Sequence, residues 1–113
     1  MKRKLAALLL LGVAAAYATD SEPATERQQT LVRMVRQDCG ACHGMRLTGG
    51  LGPALTREAL ADKPVESLAA TIYHGRPGTP MPAWRTMLSQ ADAQWIAQQL
   101  ALGFPEEPKR AKP

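Results

Sequence analysis

Apolar residues first form an unbroken run and then recur as stripes at helical spacing. Leu5 to Ala16 is apolar throughout and follows the cationic Met1-Lys2-Arg3-Lys4. Ala16-Tyr17-Ala18 puts small residues at the two positions a signal peptidase reads, so residues 1–18 have the pattern of a cleaved secretory leader. A membrane-spanning helix needs roughly 20 apolar residues, and the polar stretch from Thr19 to Gln29 ends this run too early. Residues 19–24 read as a polar lead-in.

Thr25-Glu26-Arg27-Gln28 has the spacing of a capping box, with Thr25 as the cap and Gln28 reaching back. Leu31, Met34 and Val35 follow at helical spacing, which predicts a first helix from about Thr25 to Asp38. Gly44, Gly49, Gly50 and Gly52 mark residues 40–53 as a loop. Thr56 to Asp62 has the form of a short helix capped by Thr56. Pro64 suits the first position of another helix, which carries Leu68, Ala69, Ile72 and Tyr73 and stops at Gly75. Pro77, Gly78, Pro80 and Pro82 bar regular helix between Arg76 and Trp84. Ser89-Gln90-Ala91-Asp92, a second capping box, opens a last helix with Trp95, Ile96 and Leu100 that ends at Gly103-Phe104-Pro105. No strand alternation and no internal repeat is present. The expected class is all-α, three to four short helices joined by loops rich in glycine and proline, with residues 105–113 as a flexible tail.

Charge narrows the partners. The 113 residues hold 14 Lys or Arg and 10 Asp or Glu, a net charge of +4. Loss of Lys2, Arg3 and Lys4 with the leader leaves 11 cations and a net charge of +1. A nucleic-acid binder needs a basic face on its folded part, and none is expected here. Nor is a stable membrane anchor expected once the leader is cleaved. Beyond the leader the aromatic residues are Tyr73, Trp84, Trp95 and Phe104. So few large side chains point to something else filling the centre.

Cys39-Gly40-Ala41-Cys42-His43 supplies a candidate. Cys-x-x-Cys-His is the attachment sequence of c-type haem. Two thiols spaced on a helical turn reach the two vinyl groups of a porphyrin, and the histidine that follows is held under the iron as a ligand. Covalent haem is added outside the bacterial cytoplasmic membrane, which agrees with the leader. A thioredoxin-like motif would need a βαβ setting. A structural zinc site would need four close ligands, and beyond Cys39, Cys42 and His43 only the distant His74 is on offer. A Cys39–Cys42 disulfide would close a very small loop and stabilise little.

A six-coordinate electron carrier needs a second axial ligand. Met81 lies in Gly78-Thr79-Pro80-Met81-Pro82-Ala83-Trp84, where Pro82 restricts it to extended backbone and Pro80 stiffens its approach. Such a loop has little entropy left to lose on ligation. Met87 and His74 are the rival ligands, and Met34 and Met45 read as core fillers.

Cys39-Gly40-Ala41-Cys42-His43, Gly52-Pro53-Ala54-Leu55, Gly75 and Met81-Pro82-Ala83-Trp84 together resemble class I cytochromes c, over about Thr25 to Phe104. Within that class the chain is most similar to the small NirC-type (c55X-like) cytochromes of the nitrite reductase gene cluster. The resemblance implies a cytochrome c domain over residues 25–104, folded around one covalently bound haem c. It implies thioethers at Cys39 and Cys42 and axial bonds from His43 and Met81. The Pro53 carbonyl is then a partner for the second nitrogen of His43, and Trp84 either packs on the haem or donates to a propionate. Leu31, Val35, Trp95 and Leu100 are expected where the first and last helices cross. With both axial positions filled, the implied role is not enzymatic: a periplasmic carrier of single electrons, with cytochrome cd1 nitrite reductase and an upstream donor as redox partners in denitrification. The alternatives are an accessory role in haem d1 maturation, or a small-ligand-binding or peroxidase-like haem protein should the methionine bond be absent.

Overall fold

The computed structural model describes Gly12, residues 22–107 and Lys109. The leader other than Gly12, the first three residues of the lead-in and the end of the tail lie outside the described residues. All regular structure among them is helical: α1 (Thr25–Met34), α2 (Gly40–His43), α3 (Val65–His74) and α4 (Gln90–Leu102). A π-helical turn, Val35–Cys39, fuses α1 to α2, and a single 3-10 turn spans Trp84–Thr86. The all-α expectation is met. The first helix runs further than its apolar pattern indicated, because helical backbone continues through the π turn to His43.

Three local expectations need correction. Thr25 does not cap α1. The Ala24 carbonyl already accepts the Gln28 amide at 2.9 Å, so the helix opens one residue earlier and Ala24 is its cap. Gln28 does reach back, but its side-chain amide donates to the Pro23 carbonyl at 2.8 Å. Residues 56–62 form a chain of turns and not a helix. Thr56 Oγ1 accepts from the Ala59 amide at 3.3 Å, while Leu60, Ala61 and Lys63 donate to carbonyls three or four residues back without a regular ladder. Leu60 is buried and pins this stretch to the core. Pro64 sits just outside α3 in extended backbone, and its carbonyl takes the Ser67 and Leu68 amides at 3.1 Å each. Gly75 ends α3 with a φ of +70°, a region where a side chain is strained.

The core gathers Leu31, Val32 and Val35 from α1 and the π turn, Leu47 and Leu60 from the loops, Leu88, and Trp95, Ile96 and Leu100 from α4. The four residues expected at the helix crossing all belong to it. α4 packs most extensively on α3. Two arginines tie α1 to α4. Arg27, near the start of α1, donates to Asp92 Oδ2 at 2.8 Å in the first turn of α4 and to the Met87 carbonyl at 3.1 Å. Arg36, in the π turn, donates to the Phe104 and Pro105 carbonyls at 3.0 and 2.9 Å and lies 5.5 Å over the Phe104 ring. Trp95 is buried, and its indole N–H reaches out to Glu22 of the lead-in at 3.1 Å.

The Ser89–Asp92 capping box forms as the sequence indicates: the Asp92 amide donates to Ser89 Oγ and the Ser89 amide to Asp92 Oδ2, both at 3.0 Å. Burial by itself pushes the Asp92 carboxyl up, but the Arg27 guanidinium and the Ser89 amide outweigh it and hold the group below the usual carboxylate range. A depressed carboxylate stabilises the fold above its unfolded value of about 3.9, and that contribution disappears as pH falls through the lower folded value. Asp92→Ala removes the cap and the Arg27 partner together. It is expected to cost about 1–2 kcal/mol at pH 7, and less below pH ~3. Urea unfolding at the two pH values checks both statements.

Candidate haem-attachment site

The Cys39-Gly40-Ala41-Cys42-His43 segment lies at the end of the helical rod formed by α1, the π turn and α2. The π turn fits one extra residue into the winding. Val35 at its start is buried, Asp38 is exposed and Cys39 at its end is half-buried against the core. Cys42, one turn on, is exposed, and both cysteines are free thiols. Burial first, and then the neighbouring Asp38, push the Cys39 thiol up to about 11, so it is neutral at physiological pH. No group of three or more His, Cys, Asp or Glu side chains converges to hold a metal ion among the described residues, so His74 does not complete a zinc site with the motif.

Beyond α2 the loop of residues 44–53 folds straight back. The Gly49 amide donates to the His43 carbonyl and the Gly52 amide to the Cys42 carbonyl, each at 2.8 Å. This return brings the Pro53 carbonyl to 2.7 Å from His43 Nδ1. A carbonyl can only accept, so Nδ1 carries the proton and the neutral ring has its lone pair on Nε2. Such a bond fixes a ligating imidazole in orientation and raises its basicity. Gly52 is required for the approach: a Cβ there would stand 2.8 Å from both Nδ1 and Cε1 of His43. Sequence reasoning used Gly52 only as a loop marker and part of a family motif; its contact with the ring follows from the closure of the loop.

A second tight segment carries Met81. The Met81 carbonyl accepts the Arg76 amide at 3.2 Å, and the Met81 amide donates to Thr79 Oγ1 at 3.3 Å. A Cβ on Gly75 would meet the Pro82 carbonyl carbon at 2.6 Å, so this glycine lets the methionine loop close onto the end of α3. Met81 is half-buried. Trp84, in the 3-10 turn, is also half-buried and packs against the core. Met87 is more than half exposed, and His74 is exposed with its ring edge-on to Tyr73 at 5.0 Å. Met34 packs against the core as expected, whereas Met45 is 84 % exposed and fills none of it. Met45 belongs to the returning loop, which turns its side chain to water. Arg76 and Arg85 are exposed.

These residues fit a c-type haem. Two free thiols are set three residues apart on helix, an imidazole nitrogen is left free by its proline partner, and Cys39, Leu55, Leu68, Ile72 and Trp84 leave apolar surface only partly covered. A groove of about 1000 Å³, bordered by Arg36, Ala41, Met45, Arg46, Leu55 and Phe104, touches the motif at Ala41 but does not include His43, Met81 or either cysteine.

Fold and site together define a small class I c-type cytochrome. Residues 26–99 match the family model described as cytochrome c oxidase, cbb3-type, subunit III. The chain is 55 % identical to cytochrome c55X of Stutzerimonas stutzeri over 102 residues, covering 90 % of this chain and 87 % of that one. It is 51 % identical to cytochrome c55X of Paracoccus denitrificans over 92 residues, covering 81 % of this chain and 89 % of that one. The solved structure of the c-type cytochrome NirC shares 57 % identity, with a TM-score of 0.70 over 71 % of this chain and 94 % of that chain. A match of another kind is the dihydro-heme d1 dehydrogenase of Pseudomonas aeruginosa, 37 % identical over 76 residues, covering 67 % of this chain but 15 % of that enzyme. The chain belongs to the matched family of c-type cytochrome domains and, within it, to the cytochromes c55X. As such it carries covalently bound haem c.

Gly52→Ala is expected to displace either the His43 ring or the loop behind it. A loss of about 1–3 kcal/mol in stability, with a shifted visible spectrum of the holoprotein, is the expected outcome. Thermal unfolding and absorption spectroscopy check it.

Proposed function

We propose that the protein is a periplasmic carrier of single electrons that serves cytochrome cd1 nitrite reductase in denitrification. The observation that carries this reading is the 2.7 Å contact between His43 Nδ1 and the Pro53 carbonyl, which orients one imidazole as a permanent ligand. Cys39 and Cys42 are the attachment residues, since the chain has two cysteines in all. When bound, haem supplies reversible one-electron chemistry between its ferric and ferrous states. Met81 is the second axial residue: it is half-buried and held at both its amide and its carbonyl, whereas Met87 and His74 lie more open to water. A thioether at that position favours the ferrous state relative to a second imidazole. Held loops on both ligand segments keep the reorganisation on electron transfer small. Leu68, Ile72 and Trp84, half-buried against the core, offer apolar surface to the bound group.

Export is supported by the leader pattern of residues 1–18. No described helix is long and apolar enough to cross a membrane. The nitrite reductase assignment rests on likeness to the c55X relatives. A second reading is favoured by the likeness to dihydro-heme d1 dehydrogenase: the protein then serves the maturation of haem d1 for the same reductase. Rapid reduction of mature reductase supports the first reading. Loss of haem d1 in a deletion strain without that rapid step supports the second.

Met81→Ala is expected to abolish the far-red sulfur-to-iron charge-transfer band of the ferric protein, and Met87→Ala to leave it in place. Optical spectra of the two variants decide the ligand; a band that survives Met81→Ala removes Met81 from the site. A high-spin ferric spectrum of the unaltered protein at neutral pH would overturn the carrier reading and favour a small-ligand-binding protein.

A further inference from the structure

The segment that carries Met81 is short of backbone donors. Of the seven residues between Gly75 and Ala83, three are prolines, Pro77, Pro80 and Pro82, and proline has no N–H to give. The Arg76 amide donates to the Met81 carbonyl at 3.2 Å, and the Thr79 amide donates to the Arg76 carbonyl at 3.1 Å. The second bond closes a turn with Pro77 and Gly78 at its centre. Gly78 has a φ of +78°, as the third residue of a type II turn requires. The Met81 amide is not part of this backbone pairing. It donates instead to a side chain, Thr79 Oγ1, at 3.3 Å.

That hydroxyl is held from its other side as well. Thr79 Oγ1 lies 2.7 Å from the Arg76 carbonyl. A carbonyl can only accept, so the hydroxyl proton points there and an oxygen lone pair is left for the Met81 N–H. One oxygen atom therefore bridges the carbonyl that opens the turn to the amide of Met81. Thr79 is exposed, so packing does not account for its place. An apolar side chain of the same size would leave the Met81 amide to water.

Resting on the reading of Met81 as the second axial residue, we propose that Thr79 is its positioning residue. The Thr79 hydroxyl fixes the Met81 backbone and thereby keeps the sixth coordination position closed to outside ligands. A residue tethered beside the iron competes with free molecules at an effective concentration set by how its tether is held. Loss of both hydroxyl bonds loosens that tether and weakens the competition. Thr79 then decides between the two chemistries open to the site, a closed electron carrier and a binder of small ligands.

The test is an imidazole titration of the ferric holoprotein, followed by loss of the far-red charge-transfer band. Thr79→Val keeps the size and branching of the side chain and removes both bonds. It is expected to lower the imidazole concentration at half loss about tenfold, with the band still present before imidazole is added. Thr79→Ser keeps the hydroxyl and is expected to titrate like the unaltered protein. Thr30→Val controls for loss of a threonine hydroxyl as such, since Thr30 Oγ1 donates to the Glu26 carbonyl at 3.2 Å within α1; its titration should not shift. Hydrogen exchange at the Met81 amide, read by NMR, should quicken in Thr79→Val and not in Thr79→Ser. An unmoved imidazole midpoint in Thr79→Val overturns the proposal. So does a Thr79→Ser protein that titrates like Thr79→Val, or an equal shift in Thr30→Val. A band that survives Met81→Ala removes the ligand reading and this proposal together. A band lost in Met81→Ala, with an unmoved midpoint in Thr79→Val, removes the proposal alone.

Discussion

The hydrogen bond from His43 Nδ1 to the Pro53 carbonyl is the constraint around which this small fold is arranged. Making it requires a chain reversal within ten residues of the end of α2. The reversal is held by backbone bonds from Gly49 and Gly52 to the carbonyls of His43 and Cys42. Each bond satisfies a helix-end carbonyl that would otherwise lack a partner. The loop therefore caps the attachment helix and orients its last residue at once. A glycine at position 52 is a necessity of this geometry, because the ring occupies the space where a side chain would begin.

The same economy runs through the rest of the molecule. A chain with four aromatic residues beyond its leader cannot fill a large core. Only Trp95 among them is buried; Tyr73, Trp84 and Phe104 are half-covered. The aliphatic cluster joins α1 to α4, and two arginines secure the pair near either end, one on Asp92 and one on the carbonyls beyond α4. Apolar residues of α3 and the Trp84 turn are left partly open, as suits a protein whose prosthetic group completes the interior. Small domains usually need such a staple, since burial grows more slowly than surface at this size.

The loops that hold His43 and carry Met81 both use glycine for close approach and a neighbouring proline for stiffness. Gly52 admits the His43 ring beside Pro53, and Gly75 admits the Pro82 backbone next to Met81. The division of labour follows from chemistry: glycine alone lacks the Cβ that would collide, and proline alone has its φ preset.

Much of this was legible from residue order. Cys39, Cys42 and His43 stand out by spacing alone, because a Cys-x-x-Cys-His pattern is local along the chain. The Ser89–Asp92 cap, the stop at Gly75 and the all-α class are likewise local, set by hydrogen bonds and φ preferences within a few residues. Local reading placed one helix end a residue late: Thr25 lost its capping role because Ala24 already holds the first helical bond. Residues 56–62 form turns, with Leu60 buried in the core. The exposure of Met45, the ring contact of Gly52 and the reach of Arg27 to Asp92 were decided only when loop 44–53 and α4 took their places. Such contacts join residues that sequence separates, and their energy exists only once the chain between them has closed.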